Sequence, residues 1–356
     1  MVRGIWPAPH QLEDKKGNMK NVLITGGGGF IGSHLVDSQL AQGNYVRSLD
    51  LHAERLAHVT EHPNLEIITG DILDDNMVRQ SVQDIDVIYH LASAHLDVSL
   101  GDSHYRRVNV DATLKLLELA RESGTKRVVH CSSVGVIGDV KNPPADETSP
   151  CNPTNIYEVT KLAGEQAALA FAQDTDLLVV AARPAWVYGP RCPRTQKLFQ
   201  AIRKGRFPIF GRGHNLRHPV YVSDAVSGLE LCAQVDRISG QVYIIAGEEP
   251  VTIEELVGLV AGVAGTKPPN LHLPVLVGIL MAYSLQIVFK PLRRAPPFSR
   301  RSLDFFLKNN AYDITRARSE LGFSPRVDLR SGLGKTWRSI ESGATGNLVV
   351  EAKAHG

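Results

Sequence analysis

The stretch Asn21-Val22-Leu23-Ile24-Thr25-Gly26-Gly27-Gly28-Gly29-Phe30-Ile31-Gly32 joins an apolar, β-branched run to four consecutive glycines and then to a helical pattern that continues to Gln42. Strand, glycine turn and helix in that order are the context a dinucleotide-phosphate site requires. Glycines allow backbone N–H groups to approach a pyrophosphate, and the helix beginning near Phe30 adds the positive end of its dipole. A tight turn into a helix would also demand glycine with nothing bound. The run satisfies both G-x-G-x-x-G and G-x-x-G-x-x-G, so spacing alone leaves the register open.

Outward from this turn, short apolar runs alternate with helical patterns as far as about Val187. The expected strands are Asn21 to Thr25, Tyr45 to Asp50, Leu65 to Thr69, Asp86 to Leu91, Arg127 to Cys131 and Leu177 to Ala182. Between them lie helices such as Ile31 to Gln42 and Val108 to Ser123, closed by Gly43 and Gly124 in the left-handed conformation. This alternation predicts an α/β protein with a Rossmann-type, doubly wound parallel sheet. After Pro190 the alternation stops. A basic helix around Gln196 to Lys204, a strand at Val220 to Val222, a helix from Ser223 and a strand at Gln241 to Ala246 follow, and Thr252 with Glu255 forms a capping box for a helix from Ile253 to Ala264. The chain is therefore expected to return to the main sheet, leaving a smaller, discontinuous C-terminal substrate domain. Residues 20–190 with 220–248 form the cofactor domain in this reading, and 191–219 with 249–342 the substrate domain. Residues 1–19 read as a poorly ordered extension and 343–356 as a tail.

Composition narrows the partner. The 356 residues are 43% hydrophobic and 21% charged, with a formal charge of +2, which fits a globular protein acting on a small molecule and offers nothing to nucleic acid. Cys131, Cys151, Cys192 and Cys232 are scattered, and the thirteen histidines form no ligand pattern, so neither a disulfide framework nor a metal is expected. These features suit the cytoplasm.

Asp50, at the end of the second strand, stands where a carboxylate would accept bonds from the adenosine ribose and repel a 2′-phosphate, favouring NAD over NADP. Asp71, followed by Ile72 after the third strand, is a candidate adenine contact. Tyr157 and Lys161 lie four apart and share a helical face. An ammonium there would favour the tyrosine phenolate, making the phenol competent as an acid/base near neutral pH, and could hold the nicotinamide ribose. Ser132 and Ser133 follow the fifth strand at the carboxyl edge of the sheet, where a hydroxyl could bond a carbonyl oxygen.

Taken together these motifs resemble the extended short-chain dehydrogenases/reductases, the NAD-dependent epimerase/dehydratase superfamily, over roughly residues 20–340. Thr25-Gly26 through Phe30 to Gly32 is similar to that family's T-G-x-x-G-F-x-G, which implies Gly26, Gly29, Phe30, Ile31 and Gly32 at the cofactor. His90-Leu91-Ala92-Ser93 resembles its H-x-A-A loop and Val108-Asn109-Val110 its V-N-V segment, implying Leu91, Ala92, Ser93 and Asn109 as further cofactor contacts. Cys131-Ser132-Ser133 with Gly138 resembles S-S-x-x-V-x-G, making Ser133 the catalytic serine beside Tyr157 and Lys161. Arg183-Pro184 to Tyr188-Gly189-Pro190 resembles R-P-x-x-V-Y-G-P, adding Pro184 and Val187 at the cofactor. Members of the family are often homodimers.

Two branches of the family compete. Nucleotide-sugar epimerases and dehydratases usually carry Asn where this chain has Trp186, and Tyr where it has Ile137; both departures remove polar groups. The charge-free stretch Leu273 to Phe289, followed by Arg293 and Arg294 and later by Asn310-Ala311-Tyr312-Asp313, is similar to 3β-hydroxysteroid and sterol dehydrogenases. Against that, Arg217 matches the arginine that sugar-nucleotide members place on the pyrophosphate, the alternative being a plain surface or inter-element ion-pair residue. The expectation is an oxidoreductase for a hydrophobic alcohol or ketone, with a sugar-nucleotide epimerase or dehydratase as the alternative. A regulatory NAD-binding protein without turnover would be marked by loss of the tyrosine and lysine, and both are present. Leu273 to Phe289 is too short to span a bilayer. It reads as a lid over an apolar substrate, as a peripheral membrane-interface segment flanked by Lys290, Arg293 and Arg294, or as a core helix.

Overall fold

The computed structural model describes residues 19–95, 101–289, 298 and 300–343. The expected extension before Met19, the tail beyond Gly343, and Lys290, Arg293 and Arg294 lie outside the described residues.

Six strands run in chain order: β1 (Asn21–Thr25), β2 (Tyr45–Asp50), β3 (Leu65–Thr69), β4 (Val87–His90), β5 (Arg127–Cys131) and β6 (Leu178–Pro184). A seventh, Val242–Ile245, joins them, and the order across the sheet is Val242–Ile245, β6, β5, β4, β1, β2, β3. Every neighbouring pair is parallel. Near-continuous Val, Ile, Leu and Ala in these strands follow from burial on both faces. On one face Leu35 and Val36 of α1 (Phe30–Ala41) pack with Val226 and Leu229; on the other Val78, Leu116 and Ala168 close the second layer. β4 and β6 differ at their ends from the expected strands, stopping at His90 and extending to Pro184.

The expected single helix from Val108 is three pieces: Asp102–Arg106, a π-helical turn Arg107–Asp111, and Ala112–Glu122. The helix Ile156–Asp174 lies so close to this turn that a Cβ on Gly164 would sit 2.1 Å from the Asn109 carbonyl oxygen. Thr113 Oγ1 also donates to that oxygen, 3.0 Å away. A widened turn is the usual response to such local demands on one carbonyl.

Segments before and after Val242–Ile245 together form a second core. The strand Trp186–Tyr188 pairs with Pro219–Tyr221, Leu216–Arg217 with Val251–Thr252, and Ile209–Phe210 with His272–Leu273. Phe199, Phe210, Val257, Leu333 and Trp337 fill the space among them. The capping box of Thr252 and Glu255 is present and opens the helix Ile253–Val263. The apolar stretch begins its helix at Val275, because Leu273 belongs to a strand. Gly278 sits against Phe210 and Leu303, while Leu276 is 64%, Leu280 59% and Ile287 72% exposed. Its outer face thus contradicts the core-helix alternative. Among the described residues no helix is long and apolar enough to cross a membrane.

Candidate functional site

The glycine turn is sterically compulsory. Gly26 adopts φ +74°, and a Cβ there would meet the Ala92 backbone nitrogen at 2.7 Å. On Gly28 it would lie 1.7 Å from the His52 carbonyl oxygen, and on Gly32 2.0 Å from that of Gly26. Gly29 is the N-cap of α1, with no side chain capping the helix and no acidic residue in its first turn. A helix start with no side-chain cap and no acidic first turn, entered through glycines, is what a pyrophosphate site uses, and the residues therefore fit a dinucleotide.

A chain of buried hydrogen bonds holds the neighbouring loop. Ala92 N–H donates to Thr25 Oγ1, and Thr25 Oγ1 lies 2.7 Å from His90 Nδ1. His90 Nε2 lies 3.0 Å from Thr113 Oγ1, whose hydrogen goes to the Asn109 carbonyl. With the Thr113 hydrogen so engaged, Nε2 carries the imidazole proton and His90 is neutral. Burial pushes its pKa down to about 3. This network sets the backbone of Leu91, Ala92 and Ser93 beside Gly26.

Asp50 stands at the end of β2 beside the glycine turn. Its Oδ1 accepts from His52 N–H at 3.0 Å, and burial raises its carboxyl above the usual range. Arg47 is engaged by Glu66 and by the Ser81 and Gln83 carbonyls, and Arg55 reaches the Gly28 carbonyl. Asp71 accepts from Leu73 N–H within its own loop, with Ile72 buried beside it.

The helix Ile156–Asp174 starts abruptly. Asn155 caps it by accepting from Glu158 N–H, and Glu158 Oε2 accepts in return from Thr154 N–H. Tyr157 thus stands in the first turn, at the positive end of the dipole. One turn on, Lys161 is 3% exposed and its Nζ donates to the Cys131 carbonyl at 2.6 Å. Burial lowers its pKa below the ordinary lysine value. Two residues past Cys131, Ser133 caps the short helix Val134–Ile137, its Oγ accepting from Gly135 N–H at 3.0 Å. Because the oxygen accepts in that bond, the hydroxyl hydrogen remains to donate. β5 and the helix Ile156–Asp174 thereby bring Ser133, Tyr157 and Lys161 to one end of the sheet. Ser132, the other serine, is buried.

Two expected contacts take other places. Asn109 is 2% exposed: its Oδ1 accepts from Ala94 N–H at 2.8 Å, and its Nδ2 donates to Thr160 Oγ1 at 2.9 Å and to the Ala94 carbonyl. It brackets the loop after β4 to the helix of Tyr157 and Lys161, and its amide is engaged within the protein. Arg217 is 5% exposed, with Nε donating to the Phe305 carbonyl at 2.8 Å and Nη2 to that of Asp304. Its guanidinium lies 4.8 Å over the Phe305 ring, and burial lowers its pKa to about 10. Trp186 is half-buried in the aromatic group of Tyr188 and Phe305, while Pro184 and Val187 close the end of β6. Thr160 and His95 escaped the sequence reading. A threonine beside a lysine carries no signal of its own, and His95 reaches Tyr157 only through tertiary packing, with ring centroids 4.5 Å apart. Among the described residues no cluster could hold a metal ion.

Comparison with known proteins agrees with this geometry. Residues 22–246 match the model of the NAD dependent epimerase/dehydratase family. The chain is 32% identical to a dTDP-glucose 4,6-dehydratase of Streptomyces niveus, over 88% of this chain and 91% of that protein. It is 30% identical to a 3 beta-hydroxysteroid dehydrogenase/Delta 5→4-isomerase of Mycobacterium tuberculosis, over 88% of each. The crystal structure of UDP-glucuronic acid 4-epimerase from Bacillus cereus in complex with NAD superposes with a TM-score of 0.75 at 25% identity, covering 90% of this chain and 99% of that one. The chain belongs to the NAD dependent epimerase/dehydratase family, as an enzyme whose cofactor is NAD.

Proposed function

We propose that this enzyme interconverts a secondary alcohol and a ketone on a hydrophobic, sterol-like or long-chain substrate. The observation that carries the substrate class is Arg217. A guanidinium already bonded to two backbone carbonyls and stacked on Phe305 is not offered to a diphosphate. Trp186 adds apolar surface where the sugar-nucleotide branch has an amide, and the helix Val275–Phe289 carries more of it as a lid; a membrane interface is the alternative partner of its outer face. In this reading residues 20–190 with 220–248 carry the cofactor, and 191–219 with 249–342 the substrate.

NAD, when bound, supplies the hydride acceptor. Tyr157 Oη takes the hydroxyl proton, and Ser133 donates its hydroxyl hydrogen to the same substrate oxygen and orients it. Lys161, held at the Cys131 carbonyl, favours the phenolate by its charge and by its place one turn along the helix. Asp50 holds the adenosine ribose, with Asp71 and Ile72 toward the adenine and Gly26, Gly29, Phe30, Ile31 and Gly32 against the pyrophosphate.

The second reading, a sugar-nucleotide epimerase or dehydratase with tightly held NAD, is supported by the likeness to the dTDP-glucose dehydratase and the UDP-glucuronic acid epimerase. The deciding experiment incubates the protein and NAD with a 3β-hydroxysteroid, a long-chain hydroxy acid, UDP-glucose and dTDP-glucose. NADH should accumulate with one of the hydrophobic alcohols and not with the sugars. Conversion of a sugar nucleotide alone would overturn the proposal.

A further inference from the structure

We propose that His95 and Arg194 form a positioning pair for Tyr157, an inference that rests on Tyr157 being the acid/base. The His95 and Tyr157 rings lie 4.5 Å apart, inclined at 59°. Arg194 Nη2 lies 2.7 Å from His95 Nε2. A guanidinium has donors and no acceptor, so Nε2 must be the acceptor and the imidazole carries its proton on Nδ1. A doubly protonated ring has no lone pair for Arg194, so the contact selects one neutral tautomer.

Three parts of the chain meet here: the loop after β4, the helix of Tyr157, and the helix Pro193–Arg203, in which Arg194 is the second residue. Their register is built in. Ala94, which precedes His95, is held through both its N–H and its carbonyl by the Asn109 amide, and the same amide bonds Thr160, between Tyr157 and Lys161 in sequence. One buried side chain therefore locates both members of the ring pair.

Among the described residues, charges approach the phenol from three directions. Lys161 follows one turn along its own helix, and Arg194 is carried toward it by His95. Glu158, the adjacent carboxylate, is engaged by Thr154 and by Lys308 at 3.2 Å. Against this background the imidazole restricts rotation of the phenol and brings a second positive charge to bear on the phenolate. Arg194 lies in the segment assigned to the substrate domain, so the pair also makes the state of Tyr157 depend on how that domain sits.

The test uses the full chain with NADH bound and needs no substrate. With selectively 15N-labelled histidine, the signal that disappears in His95→Gln should show the Nδ1–H tautomer in the wild type and the Nε2–H form in Arg194→Met. The Tyr157 ionisation midpoint, read as tyrosinate absorbance minus that of the matching Tyr157→Phe protein, should rise by about half a pH unit in Arg194→Met and in His95→Ala. Arg194→Lys, which keeps the charge, should restore most of that shift. Both residues are exposed, so the variants should melt with the wild type. An Nε2–H tautomer in the wild type, or a midpoint unmoved in both variants, overturns the pair while leaving Tyr157→Phe inert and the catalytic reading intact. Undiminished turnover in Tyr157→Phe would instead defeat the acid/base reading, and this inference with it.

Discussion

The ammonium of Lys161 lies 2.6 Å from the carbonyl oxygen of Cys131, so the helix that presents Tyr157 is tied to the strand that presents Ser133 by a buried cation. Burial of the lysine works against its charged form, and that form is what the proposed acid/base role of Tyr157 requires. Site and stability are therefore in conflict at one residue.

Replacing Lys161 by Met, close in length and free of charge, is expected to lower turnover at least about a hundredfold and to raise folding stability by about 1 kcal/mol. Urea unfolding beside steady-state rates checks both; a variant that is less stable and still active would contradict the assignment.

Asn109→Ala removes three buried hydrogen bonds and leaves Ala94 N–H and Thr160 Oγ1 without that partner. A loss of about 2–3 kcal/mol in urea unfolding is expected. Turnover should fall further than NAD affinity, because the bracket acts on the relative placement of the β4 loop and Tyr157. Equal losses in both would place Asn109 at the cofactor after all.

Arg217→Met should destabilise the protein by about 2–4 kcal/mol, since the Asp304 and Phe305 carbonyls lose a charged donor. UDP should leave the wild-type melting temperature unchanged in the presence of NAD. A UDP-dependent rise that vanishes in Arg217→Met would restore the sugar-nucleotide reading.

Acid should unfold the protein early. Burial pushes His34 to about 4, His90 to about 3 and His218 to about 4, against 6.5 for an ordinary histidine. Above pH 6.5 all three are neutral in both states and their full contribution is present. As the pH falls from 6.5 toward the native values, the unfolded chain takes up protons that the native protein refuses, and stability drops. Each histidine contributes a slope of at most about 1.4 kcal/mol per pH unit in that window. Melting curves between pH 7 and pH 4 should show the decline, and His218→Gln should make it shallower. A melting temperature flat across the window would mean that these rings accept protons in the folded state.

Much of the fold was legible because its signals are local. Alternating apolar runs located β1, β2, β3 and β5 to the residue, and Gly43 and Gly124 do take the left-handed conformation. Spacing alone did not fix the glycine register, which came from the family resemblance, because the crowding at Gly26 and Gly28 comes from Ala92 and His52, groups that reach the turn only after the sheet forms. The helical spacing of Tyr157 and Lys161 and the place of Ser133 just past β5 were legible, since both are fixed by local structure. Asn109 and Arg217 were ambiguous in sequence for a common reason. A polar side chain beside a site reads the same in sequence whether it faces a ligand or a backbone carbonyl, and only burial separates the two. The π-helical turn at Arg107–Asp111 likewise packs against Gly164, which lies far along the chain.

The strand order bears on how the molecule is made. β6 borders β5 on one side and Val242–Ile245 on the other, and residues 185–241 intervene before that second neighbour is synthesised. A nascent chain that has emerged only as far as Pro184 presents Val179, Val180, Ala181 and Ala182 along a bare hydrogen-bonding edge. Such an edge is a template for pairing with another chain. The β6 edge is thus exposed for as long as residues 185–241 are being translated, and truncations ending between Pro184 and Gln241 are expected to accumulate as aggregates rather than as a shortened cofactor domain.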